Sequence, residues 1–207
     1  STAIPSSGGY EIDQSLRFND DDSAYLSRSF PSAGNRKTWT WSAWVKRGNL
    51  GGAQTLFGSW LGAASSGYTA IRFSGGTDNT LYIFGSPDGG STSITWETTA
   101  IFRDVSSWYH IVVVLDTTQS TAANRLKMYV NGVQQSGSFG VTPSQNTDIE
   151  LNRSGTHYHG RQNTGSIASK FDGYLGEVNF IDGAAKVPAD FGETGDYGEW
   201  KPIEYSG

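Results

Sequence analysis

Trp108-Tyr-His-Ile-Val-Val-Val-Leu-Asp116, followed by Arg125-Leu-Lys-Met-Tyr-Val-Asn-Gly132, decides the fold class. The two runs read as a strand, a short loop and a second strand that ends in a hairpin turn. In the first strand His110, Val112, Val114 and Asp116 fall on one side, with Ile111, Val113 and Leu115 on the other. A β-branched run with so few charges is built for burial on both faces, so a further layer has to cover it. The second strand alternates: Leu126, Met128 and Val130 point one way, Lys127, Tyr129 and Asn131 the other. Asn131-Gly132 predicts a type I′ turn, which needs positive φ at both central positions.

The same grammar extends in both directions. Trp39-Thr-Trp-Ser-Ala-Trp-Val-Lys46 has period two, with Trp39, Trp41, Ala43 and Val45 on one face and Trp44 on the other. Further strands are predicted at Ser15–Phe18, Ala24–Arg28, Gln54–Trp60, Tyr68–Phe73, Thr80–Phe84, Ser93–Thr98, Asp148–Asn152 and Phe171–Ile181. Strands at such spacing, separated by Gly, Ser and Asn turns, indicate an all-β, two-sheet antiparallel sandwich. Its dry interior is expected to hold Trp39, Trp41, Val113, Met128 and Val178. Residues 1–10 read as a flexible lead-in, 11–195 as one domain and 196–207 as an irregular tail. No internal repeat or linker divides the chain.

Composition narrows the function classes. The 207 residues include 27 Gly, seven Trp, ten Tyr and ten Phe, enough apolar area for a core despite modest aliphatic content. A formal charge of −5 with scattered basic residues argues against nucleic-acid binding, which rests on neutralising phosphates. The chain has no cysteine, so no disulfide framework or zinc ribbon exists, as suits folding in a reducing bacterial cytoplasm. No apolar run approaches the ~20 residues that span a bilayer, so membrane insertion is not expected. Ser1-Thr-Ala-Ile-Pro-Ser-Ser-Gly-Gly9 lacks the basic and apolar regions of an intact signal peptide and fits a start from which the initiator Met was removed.

The ordered set Trp39–Lys46, Trp108–Asp116, Leu126–Val133 and Phe171-Asp-Gly-Tyr-Leu-Gly-Glu-Val178 resembles the concanavalin A-like lectin/glucanase superfamily, in its laminin-G/pentraxin-like branch. The resemblance covers residues 15–192 and implies a jelly roll. Tyr10-Glu-Ile-Asp-Gln-Ser-Leu-Arg-Phe18, Asn35-Arg-Lys-Thr-Trp-Thr-Trp-Ser42 and Gly176-Glu-Val-Asn-Phe-Ile-Asp-Gly183 are similar to segments of marine bacteriophage structural proteins. That similarity implies a place on the virion surface, in a tail fibre or a capsid or tail decoration. It further implies other virion proteins as partners, a homo-oligomer, and a chain that continues beyond Gly207 in related proteins.

Glucanases of this superfamily carry Glu-x-Asp-x-x-Glu on one strand to flank the scissile bond. Glu11-Ile-Asp13 begins that pattern, but position 16 is Leu, so no catalytic residue is assigned and the chain is read as non-enzymatic. Glycan binding asks for an exposed aromatic platform framed by planar hydrogen-bonding groups. The stretch Asn152-Arg-Ser-Gly-Thr-His-Tyr-His-Gly-Arg-Gln-Asn163, read as a long polar loop, supplies Tyr158, His157, His159, Arg161 and Asn163. Trp60 and Trp96 are further candidates, and the expected partner is a host cell-surface glycan. Two histidines without a third ligand favour a solvated loop over a transition-metal site. The resemblance implies Ca²⁺ as a cofactor, for which Asp20, Asp22 and Asp172 are candidate oxygen donors; a solvated turn is the alternative for Asp20–Asp22.

Overall fold

The chain begins with a pair of short strands, β1 (Ser15–Phe18) and β2 (Leu26–Phe30), that end up in different sheets. The computed structural model describes residues 9–60, 67–87, 91–163 and 167–207. Next come β3 (Thr38–Arg47), β4 (Gln54–Trp60), β5 (Tyr68–Phe73), β6 (Thr80–Ser86), β7 (Ile94–Ile101) and β8 (Tyr109–Asp116). They are followed by β9 (Leu126–Val130), β10 (Val133–Gln134), β11 (Gly137–Val141), β12 (Gly155–His159), β13 (Gln162–Asn163) and β14 (Ile167–Ala168). The last are β15 (Gly173–Asp182), β16 (Gly192–Thr194) and β17 (Trp200–Pro202).

A six-stranded sheet in the order β1-β15-β3-β8-β9-β10 faces a seven-stranded sheet in the order β11-β7-β6-β5-β4-β12-β2. Every described pairing is antiparallel, and the whole is a jelly-roll sandwich. Between the sheets Trp39, Trp41, Ala43 and Val45 of β3 meet Ile111, Val113 and Leu115 of β8 and Met128 of β9, all buried. Phe57, Ile71, Phe73, Leu81, Ile83 and Trp96 close the core from the other sheet. A tryptophan buries roughly 200 Å², so at about 25 cal/mol per Å² Trp39 and Trp41 each contribute on the order of 5 kcal/mol of transfer free energy. Asn131 (φ 49°) and Gly132 (φ 79°) adopt the two positive φ values that the hairpin turn requires.

The second face of β8 is covered from the C-terminus. Val112 and Val114 pack against Phe191, with Tyr129, Ile181 and Tyr205 around them. Residues 196–207 are less irregular than expected: Trp200–Pro202 pairs with Gly192–Thr194 and lays a hairpin over the six-stranded sheet.

Three expectations are corrected. Asp148–Asn152 is not a strand, although Ile149 and Leu151 are buried as its alternation implies. Its backbone is spent elsewhere: Ile149 N–H donates to Arg36 O, Asn152 N–H to His157 Nε2, and Ile149 O accepts from Arg36 Nε. The stretch 152–163 is not a loop, because β12 runs inside the seven-stranded sheet between β2 and β4. Val178 does not reach the core; it is 40% exposed. Gly176 pairs with Trp44 and Asn179 with Ser42, so one extra residue is bulged out, with Glu177 at φ 47°. The bulge rephases the strand so that Leu175 and Phe180 both point inward.

Candidate functional site

β12 places its two histidines and its tyrosine on opposite sides. His157 and His159 pair with Ser59 and Phe57 and face the interior, where Phe57 stacks on both rings at 5.8 and 4.6 Å. His157 Nε2 accepts the Asn152 N–H at 3.0 Å, which leaves the proton on Nδ1 facing Gly155 O. His159 Nδ1 donates to Leu56 O at 3.1 Å. Burial pushes both imidazoles down to about 4, so they are neutral aromatic packing groups. They are therefore not part of an exposed binding loop. Trp96 is likewise corrected: it faces Ile83 and Phe139 in the core.

Tyr158 and Trp60 do share a surface, the outer face of the seven-stranded sheet. The register sets out three rows across it. Tyr158, Gly58, Ala70 and Phe84 lie side by side on β12, β4, β5 and β6. Thr156, Trp60, Tyr68 and Ser86 form the row on one side, and Arg72, Tyr82 and Glu97 the row on the other. Gly58 and Ala70 thus put nothing taller than a methyl between Tyr158 and Phe84. A Cβ at Gly58 would lie 2.9 Å from Thr69 O, so this low point is also dictated by backbone packing.

The aromatic groups of this face support one another. Tyr68 stacks on Phe84 at 5.3 Å, Tyr82 lies 6.4 Å from Phe84, and the Arg72 guanidinium sits 5.1 Å above Tyr82. Desolvation raises the Tyr68 and Tyr82 hydroxyls above their ordinary values, so both remain donors at neutral pH. Arg72 Nη1 reaches Gln162 Oε1 at 3.4 Å, and Arg161 lies over Tyr25 and Tyr158. The Asn163 side chain lies outside the described residues. Chemically this is a half-buried aromatic surface with guanidinium, hydroxyl and carboxamide groups at its margins. Tyr68, Phe84, Tyr82, Arg72 and Tyr25 were not singled out from the sequence. Their alternation with Ile71, Phe73, Leu81 and Ile83 was the available signal.

Of the candidate cation ligands, Asp20 and Asp172 are brought together and Asp22 is not. Asp20 accepts from Asn49 Nδ2 at 3.0 Å; that bond, with the nearby Asp172 carboxyl, holds it below the ordinary range. Asp172 pairs with Arg17 at 3.0 Å, while Asp22 accepts from Asn19 in an exposed turn. Lys170 Nζ donates to Asp20 O. Among the described residues no group of three or more His, Cys, Asp or Glu converges as a metal cluster. Glu177 accepts from the Tyr10 hydroxyl at 2.9 Å, and Glu11 and Asp13 are in the lead-in before β1.

Residues 18–188 match a family model, Laminin_G_3, described as concanavalin A-like lectin/glucanases superfamily. No curated protein matches the sequence. Three solved structures illustrate the likeness. A heptameric SAP-like pentraxin from Limulus polyphemus is 15% identical, covering 86% of this chain and 73% of that chain, with a TM-score of 0.53. Domains LG4-5 of the mouse laminin alpha1 chain are 12% identical, covering 89% and 48%, with a TM-score of 0.57. The CBM40 of a Ruminococcus gnavus IT-sialidase, bound to alpha2,3 sialyllactose, is 10% identical, covering 77% and 91%, with a TM-score of 0.51. At these identities the likeness is one of fold.

Proposed function

Because this chain belongs to the concanavalin A-like lectin/glucanases superfamily, we propose that it is a non-catalytic glycan-binding module whose site is the outer face of the seven-stranded sheet. The observation that carries the proposal is the row Tyr158–Gly58–Ala70–Phe84, flanked by Trp60 and Tyr68. Rings with two side-chain torsions offer large contact area at low entropic cost, and they suit the apolar face of a pyranose. Arg72, Gln162 and the tyrosine hydroxyls are placed to orient sugar hydroxyls. Fold neighbours that include a carbohydrate-binding module captured with sialyllactose support the same reading.

The similarity of Tyr10–Phe18, Asn35–Ser42 and Gly176–Gly183 to marine bacteriophage structural proteins supports a place on the virion surface. There a host cell-surface glycan is the target. Several copies on one particle turn weak stacking contacts into firm attachment. The non-catalytic reading rests on Leu16 standing where the hydrolytic pattern needs its third carboxylate.

A second reading, a purely architectural virion part, is favoured by one feature. Leu16, Leu26 and Val178 are exposed around a groove of about 370 Å³ at the β1 and β2 edges of the sandwich. A glycan array at high protein density separates the two. The binding reading expects specific signal that falls about tenfold in Trp60→Ala and Tyr158→Ala, in line with one lost stacking contact each. Silence across the array supports the architectural part, and release of reducing ends from any polysaccharide refutes the non-catalytic assignment.

A further inference from the structure

The outer face of the seven-stranded sheet carries two guanidinium groups, Arg72 and Arg161. Among the described residues neither lies within ion-pairing distance of a carboxylate, whereas neighbouring Arg36 and Arg153 are both committed to Glu150. Arg161 is the more unusual of the two. It is only 8% exposed, and its Nε, like that of Arg72, is buried with no hydrogen-bond partner among the described residues. A buried donor left open is costly, so an acceptor that meets it is bound with a corresponding advantage.

The surroundings define which acceptor. The Arg161 guanidinium carbon lies 3.4 Å from the Tyr25 ring centre and 5.3 Å from that of Tyr158. Tyr25 is 44% exposed, so the group sits at the surface even though its own area is covered. Rings take the flat face of a guanidinium and leave its in-plane N–H donors at the edge, in the fork that a planar carboxylate matches with two hydrogen bonds. Tyr158 belongs to the aromatic row itself, so a sugar stacked along that row would bring its substituents within reach of Arg161. Glu97, the carboxylate on this face, is on β7, four strands away from β12 in the sheet, and accepts from Thr80 Oγ1.

We infer that Arg161, laid over Tyr25 and Tyr158, receives the carboxylate of an acidic sugar, a uronic or sialic acid residue of the bound glycan. The inference rests on the outer face being the glycan surface and specifies what that surface selects. With a net charge of −5 the protein as a whole repels polyanions. Selectivity therefore comes from the local fork and not from a broad positive field.

The test uses the intact chain against a panel of polyuronates and a polysialate, each paired with its carboxyl-reduced form of identical linkage. Dextran sulfate serves as an anion without carboxylates. Binding is measured by biolayer interferometry at 150 mM salt. At least one acidic member binds about tenfold or more tighter than its reduced form, and the preference falls to near unity in Arg161→Gln. Arg161→Lys loses it too, because an ammonium keeps the charge but not the fork. Tyr25→Ala, at an exposed position, weakens the preference and reports on the site should the arginine variants fail to fold. Equal binding of acidic and reduced forms overturns the carboxylate inference while leaving glycan recognition standing. Equal binding of dextran sulfate overturns it as generic anion capture. Binding to no glycan in the panel or on an array overturns the parent reading itself.

Discussion

The indole N–H of Trp200 donates to Nδ1 of His110 at 2.9 Å, tying the C-terminal hairpin to the start of β8. Because Nδ1 accepts, the ring proton sits on Nε2 and is given to Ser42 Oγ, also at 2.9 Å. Trp44 stacks on the same imidazole at 5.0 Å, and Trp200 at 6.0 Å. His110 is thus a neutral, doubly bonded centre on the outer side of the six-stranded sheet.

Stability should fall on mild acidification. Burial pushes His110 down to about 3 and His157 and His159 down to about 4, all below the ordinary value of 6.5. With folded pKa values depressed, the neutral form is favoured in the native state. Stability is therefore complete above pH 6.5 and is lost as pH falls from there toward 4. Each histidine contributes a slope of about 1.4 kcal/mol per pH unit in that window. Urea unfolding at pH 7.5, 6.0 and 5.0 measures it, and a flat profile would contradict the buried neutral rings.

Trp200→Phe leaves His110 Nδ1 buried without its donor and should cost about 1–3 kcal/mol. Tyr197, 94% exposed in the same hairpin, is the control: Tyr197→Ala should stay within about 0.5 kcal/mol. Denaturant midpoints for the two variants decide whether the bond, and not the hairpin in general, fastens the strap.

Arg47 is buried in the core with no carboxylate beside it among the described residues. Its Nη1 donates to Phe102 O at 2.6 Å, its Nε to Gln54 Oε1 at 3.2 Å, and its guanidinium lies 4.3 Å from the Phe73 ring centre. Desolvation pushes it down to about 10. Arg47→Ala opens a cavity and orphans two acceptors, for an expected loss of about 3–5 kcal/mol. Arg47→Met keeps the volume and should cost distinctly less. Similar losses for both would assign the role to charge and not to packing.

Deleting Val178 removes the extra residue of the β15 bulge. The strand would then alternate without a break, with Leu175 and Phe180 four positions apart and both still inward, but Glu177 would fall opposite buried Ala43 and turn its carboxylate into the core. The deletion variant should fail to fold cooperatively, as read by near-UV circular dichroism, and adding Glu177→Val to it should restore a native-like spectrum. A native-like spectrum of the deletion alone would show that the bulge does not keep Glu177 out of the core.

The amino-acid pattern alone determined the sandwich. Alternation in Trp39–Val45 and Leu126–Val130, the double-sided apolar run of β8 and the Asn131-Gly132 turn are local signals, and period two maps directly onto the two faces of a strand. It also marked Tyr158, Trp60 and Arg161, which the fold does set on one surface. Only the tertiary structure decided the rest. Which strand lies beside which places Tyr68 of β5 and Phe84 and Tyr82 of β6 on one face with Tyr158 of β12, three separate segments, and no local pattern encodes such pairing. His157 and His159 looked like polar loop residues because their ring chemistry is ambiguous in sequence. Stacking on Phe57 and backbone partners turned His157 into core and left His159 half-buried on the inner face, at the groove beside Leu16 and Leu26. Val178 escaped the core because one residue at positive φ shifted the register, a backbone event that side-chain alternation does not report.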